Sequence, residues 1–133
     1  MKKLIMVVSL FMYLFTVGLV LAQLEQIIAV ASLKNAENSQ ISDRAAHAPY
    51  YLIFTAQGKL LEVISNPFRD TARSAGPKVA GFLASRNVTV VVAGAFGYKM
   101  TKALEARGIE HYERTGIVNE ALENLETISQ KGK

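Results

Sequence analysis

The sequence predicts a three-layer α/β domain, a mixed sheet of about five strands with helices on both faces. Three observations point there. Short apolar runs rich in β-branched residues give way, at about the midpoint, to stretches whose apolar residues recur at helical spacing. Glycine or proline stands at most changes of period. The resulting order is β-β-β-α-β-α-β-α, with no internal repeat.

The elements follow in turn. Residues 26–33, QIIAVASL, form a short apolar run that reads as a buried strand. Residues 34–43 are polar and read as a loop. Residues 50–55, YYLIFT, and 60–65, LLEVIS, are strands joined at Gly58, a residue suited to positive φ, and so pair as a hairpin closed by Asn66-Pro67. A second polar loop, 68–74, carries Arg69, Asp70 and Arg73. Gly76-Pro77 opens a helix whose inner face is Val79, Ala80, Leu83 and Ala84. Residues 89–93, TVVVA, are the most strand-like in the chain, and Gly94-Ala95-Phe96-Gly97 turns tightly into a helix over 98–107 that Gly108 ends. Residues 109–112 make a short strand. From Val118 to about Ile128 a closing amphipathic helix turns Ala121, Leu122 and Leu125 inward. Strands joined through helices run parallel, so the hairpin feeds a mixed sheet.

Ahead of this domain, Lys2 and Lys3 precede residues 4–22, which carry no charge. Such a run reads as a signal peptide or as a membrane anchor, since about 20 apolar residues span a bilayer. Gly18, the small-residue pattern ending at Ala22 and the lack of a following basic cluster favour cleavage. Residues 1–22 are then a signal, and the domain 23–133 is periplasmic or secreted. The alternative is a retained anchor holding the domain outside the cytoplasm, the one case in which a membrane is a partner.

The chain of 133 residues has 15 Lys+Arg against 11 Asp+Glu; without Lys2 and Lys3 the balance is 13 to 11. So small and scattered an excess argues against a nucleic-acid partner. With no cysteine, the protein has no disulfide, thiolate ligand or lipid-modified cysteine.

Several segments together carry a family resemblance: IAVAS at 28–32, APYYLIF at 48–54, Asn66-Pro67, Ala75-Gly76, AGAFG at 93–97, Ala103-Leu104 before Gly108-Ile109, and GIVNEAL at 116–122. In this order they resemble the dinitrogenase iron-molybdenum cofactor biosynthesis family, nitrogen-fixation-related proteins that carry or insert metal–sulfur clusters. The resemblance spans nearly all of the domain. It implies a ribonuclease-H-like fold, and a metallocluster, an iron–sulfur or iron-molybdenum cluster or a single metal ion, as ligand. Members typically read Ser-Glu-His-Phe-Gly-Arg-Ala-Pro before the second strand, where this chain has Ser-Asp-Arg-Ala-Ala-His-Ala-Pro over 42–49. Arg44 thus stands where the family has His, and His47 where it more often has Arg. A guanidinium stays protonated and cannot ligate a metal, so imidazole ligation at the family position is lost.

The candidate site residues are His47 for metal, with Arg44, Gly94, Gly97 and Lys99 for a cluster or small anion. His47 is either a ligand, its imidazole suiting a transition metal, or an exposed loop histidine. His111 joins it only if the sheet edge brings the two together; otherwise it is a core or edge residue. The Gly94–Gly97 turn either presents free N–H groups and a helix dipole to an anion, with Lys99 at the mouth, or is there simply to turn. Arg69 and Arg73 add positive charge to the same mouth or are solvated. Asp43 and Asp70 are the only aspartates and the first strand holds no acid, so a two-metal nuclease centre lacks its carboxylates. No nucleophile elbow or phosphate-binding loop appears. The leading expectation is an exported, non-catalytic binding module with its cleft between the 44–49 loop and the 94–99 turn. An interaction domain that has lost its cluster and, more weakly, a hydrolase with a dispersed site are the alternatives; the protein partner is open.

Overall fold

The computed structural model describes residues 5–13 and 25–131, with side chains up to Leu125. Strands β1 (Ile27–Ser32), β2 (Tyr50–Thr55), β3 (Leu60–Ser65), β4 (Val90–Ala93) and β5 (Glu110–Glu113) form one sheet in the order β3-β2-β1-β4-β5. The first two hydrogen-bonded pairs, β1–β2 and β2–β3, are antiparallel; β1–β4 and β4–β5 are parallel. The expected mixed sheet is therefore present, and β3, β4 and β5 do run in one direction. They are not neighbours throughout, however, because the connection after β3 passes over β2 and β1 before β4 docks beside β1.

Side chains alternate across each strand, and this sorts the core into two layers. Ala29, Ala31, Tyr51, Ile53, Val91 and Ala93 face one way and pack with Val79, Ala80 and Leu83 of helix α1 (Ala75–Ala84) and Met100 and Leu104 of helix α2 (Tyr98–Ala106). Ile28, Val30, Leu52, Phe54, Val90 and Val92 face the other way, onto Val118, Ala121 and Leu122 of helix α3 (Val118–Lys131). Two helices cover one face and one covers the other. The central strands are buried on both faces, which is why 28–31 and 90–93 read as unbroken apolar runs.

Differences from the sequence reading are local. Strand β5 lies one residue later than expected, at Glu110–Glu113, because Ile109 is spent packing into the core. The closing helix extends to Lys131. Residues 5–13 are helical, with the apolar side chains from Ile5 to Tyr13 exposed. The expected cleavage point at Ala22 lies outside the described residues. Among those described, no helix is long and apolar enough to cross a membrane.

Candidate functional site

At the carboxyl ends of β1 and β4, where open α/β sheets place their ligands, three stretches of chain meet. After β1 the chain returns so that Ser42 N–H donates to Ala31 O at 2.9 Å, Gly94 N–H to Ser42 O at 2.8 Å, and Ala45 N–H to Ala95 O at 3.1 Å. These bonds zip the 42–45 segment onto the turn after β4. The third wall is the start of α1. Between the three lies a cleft of about 550 Å³, lined by residues 43–47, 72, 74–77 and 95–100. The expected cleft between the 44–49 loop and the 94–99 turn is thus present, and Arg44, His47, Gly97 and Lys99 all line it.

Its loop is held from beneath. The hydroxyl of Tyr51, a fully buried residue, donates to Ala45 O. Burial raises the Tyr51 pKa far above the ordinary tyrosine value, so this group stays a neutral donor. Buried Asn66 donates through Nδ2 to Ala46 O and to Ala48 O, each at 2.9 Å. The His47 ring, half-buried, donates from Nδ1 to Arg69 O at 2.9 Å.

Two helices open into the cleft. Helix α2 has Gly97 as its N-cap, and the N–H groups of Tyr98, Lys99 and Met100 have no partner among the described residues; the first internal bond is Thr101 N–H to Gly97 O. Helix α1 starts after Ser74, a non-glycine residue in the left-handed region at φ 60°, and again no side chain caps it. Neither helix has an acidic residue in its first turn. By contrast, the start of α3 is closed by backbone: Val118 N–H meets Ser39 O at 3.0 Å and Asn119 N–H meets Glu37 O at 3.1 Å. The cleft therefore gathers two positive helix ends, two exposed cations with no acidic partner among the described residues (Arg44 and Lys99), and one imidazole. Asp43 is its only carboxylate among the described residues.

Not every expected residue belongs there. Gly94 is not a ligand-facing amide, because Ser42 takes its N–H and its Cα packs on the backbone of Asp43. Gly97 has φ −74°, so no left-handed conformation demands glycine there. His111 lies against Phe96, ring centroids 5.2 Å apart, with Nε2 3.9 Å from Glu105, and is not in the cleft wall. Arg69 pairs with Asp70 at 3.6 Å and reaches the site only through its carbonyl. Asn66, Tyr51 and Ser74 were missed as site-building residues; Asn66-Pro67 was visible only as the end of a hairpin.

The donors present set a limit on what the cleft can hold. Among the described residues no three His, Cys, Asp or Glu side chains converge. A bare metal ion, which needs several protein donors, does not fit these residues.

Comparison with known proteins agrees with this fold. Among curated proteins, none matches the sequence significantly. A NifB-like Thermotoga protein of the DUF35 family is 32% identical, over 77% of this chain and 88% of its own, with a TM-score of 0.66. The apo form of the orange protein from Desulfovibrio gigas is 25% identical, over 78% and 89% respectively, with a TM-score of 0.71. The model of the dinitrogenase iron-molybdenum cofactor family matches residues 26–128, so this chain belongs to that family.

Proposed function

We propose that the protein is a non-catalytic carrier that holds an anionic metal–sulfur cluster, preassembled elsewhere, in the cleft at the carboxyl ends of β1 and β4. One observation carries the reading: the cleft combines two uncapped helix N-termini with Arg44 and Lys99 and a single imidazole, His47. Helix ends and unpaired cations attract negative charge. One imidazole offers one coordination bond to an edge metal of such a cargo. Family membership supports the cargo class. The resemblance places His and Arg at the positions of Arg44 and His47; in this chain the two have exchanged, and both still line one cleft. The imidazole lost at one end of the loop is supplied from the other.

The test is metal and sulfide analysis of protein purified from its native compartment at low salt. Bound metal with sulfide is expected, released as salt rises because exposed charges are screened. In His47→Ala and Lys99→Ala occupancy is expected to fall several-fold, with melting temperatures near the parent's, since substitutions outside the core usually change stability by less than about 0.5 kcal/mol. Metal-free protein, or equal occupancy in both variants and the parent, would end the carrier reading.

A further inference from the structure

The turn after β3 touches the cleft loop on both sides of His47. Asn66, 1% exposed, uses its two amide protons on Ala46 O and Ala48 O, the carbonyls on either side of the histidine. Its Oδ1 accepts from Phe68 N–H at 3.0 Å, and its backbone N–H donates to Pro49 O at 3.0 Å. Both polar atoms of the amide side chain are thus bonded. The Oδ1 bond winds the chain so that Arg69 O arrives at His47 Nδ1, 2.9 Å away. A carbonyl oxygen can only accept, so Nδ1 carries the proton. In the neutral ring Nε2 then holds the lone pair, and Nε2 has no partner among the described residues.

We infer that Asn66 is a positioning residue: with the Arg69 carbonyl it fixes His47 on the cleft wall as the Nδ1–H tautomer, leaving Nε2 as the ring nitrogen that a metal-bearing cargo meets. The inference builds on the carrier reading for its purpose but not for its geometry. Ligand histidines commonly have their second nitrogen committed to a carbonyl or carboxylate, which fixes ring orientation and tautomer. Here one buried amide secures the backbone on both sides of the ring and, through the turn, the carbonyl that selects the tautomer. A freely rotating, solvated histidine favours the opposite, Nε2–H form, so the two cases are distinguishable without any cargo.

The experiment is a long-range proton–nitrogen correlation on ¹⁵N-labelled apo protein at about pH 8, above the usual imidazole titration range. The parent is expected to shift the tautomer ratio toward the Nδ1–H form by about fivefold from that of a solvated ring, the bias of one neutral hydrogen bond. Asn66→Ala is expected to return the ratio to that of a solvated ring, which favours Nε2–H. Tyr51→Phe, which removes the other buried tie to this loop, is expected to leave the ratio alone while lowering the melting temperature. Added Zn²⁺, used only as a probe of the lone pair, should perturb Nε2 of the parent and not Nδ1, and do so several-fold more weakly in Asn66→Ala. Should Asn66→Ala fail to fold, Asn66→Ser retains one donor and is read in the same way. A parent with the ratio of a solvated ring, or an Asn66 variant that melts earlier yet keeps the parent's ratio, overturns the inference. Metal-free protein from the native compartment would strike the carrier reading and leave this result standing.

Discussion

A Cβ added at Gly94 would meet the Cα of Asp43 at 2.7 Å, whereas one added at Gly97 would meet nothing within 4 Å. Gly94→Ala is therefore expected to lower stability by about 1–3 kcal/mol, the usual range for forcing extra volume into a packed site. Gly97→Ala has a permitted backbone and open space. It weakens only the helix start, where glycine is a better N-cap than alanine, so about 1 kcal/mol or less is expected. Its methyl group would stand in the cleft wall, however, and cargo occupancy is expected to fall beyond that small stability change. Thermal melts beside metal analysis check both; a Gly97→Ala protein with full occupancy would show that the cargo does not approach this turn. The Gly-x-x-Gly pattern made the turn readable. Which glycine is packed and which is open depends on where the 42–43 backbone lies, 51 residues earlier in the chain, and no local pattern carries that. The same holds for Asn66: as a residue type beside proline it signals a turn, and its grip on the histidine loop exists only once β2 and β3 are paired.

Periodicity located the helices and the central strands well because β1, β2 and β4 are buried on both faces and each helix has one dry stripe. What it could not convey is how closely α1 and α2 approach at their starts. A Cβ at Gly76 would lie 2.7 Å from Met100 Cβ and 3.0 Å from Met100 Cα, so glycine lets the two N-termini meet at one cleft. Gly76→Ala is expected to part them, with a loss of about 1–3 kcal/mol and a several-fold loss of occupancy. Gly81 in the same helix is the control. There a Cβ would meet only the mobile guanidinium of Arg107 at 3.3 Å, so Gly81→Ala is expected to gain about 0.5–1 kcal/mol from helix propensity and leave occupancy unchanged. Melting curves and metal analysis of the pair decide it: if Gly81→Ala loses cargo as Gly76→Ala does, the effect is general loosening rather than convergence of the helix ends. Tyr51 adds a dependence on pH at this scale. Its folded-state pKa lies above the unfolded value of about 10, so the stability it lends is complete below that pH and drains away as pH rises beyond it. Tyr51→Phe, lacking the ionisable hydroxyl, should show a shallower alkaline decline in denaturant midpoint than the parent.

At the scale of the whole molecule, the helix at 5–13 and the α/β domain have different characters. The apolar side chains of residues 5–13 are 56–74% exposed, and none belongs to either core layer. So exposed an apolar surface suits a membrane or a translocation channel. The domain's two core layers are built wholly from residues 28–122, with Ile27 and Leu125 packed at their margins. We therefore propose export, with residues 1–22 removed and Gln23 at the new N-terminus. Two measurements follow. A chain starting at Gln23 is expected to melt within about 2 °C of the full-length protein, since among the described residues none before Ile27 packs into either core layer and a change of a few tenths of a kcal/mol moves the midpoint of a domain this size by that little. Intact mass of the protein recovered from its native host is expected to match a chain beginning at Gln23. Full-length protein on the membrane would make the segment an anchor, and full-length protein in the cytoplasm would remove export altogether. The cleft bears on this choice as well, because a carrier outside the cytoplasm must receive its cargo there or be loaded before translocation. Most export routes pass an unfolded chain, and this cleft exists only after β1, β4 and the two helices have assembled. Loading after export is then the expected order, and refolded, metal-free protein should take up preformed cluster without any folding partner.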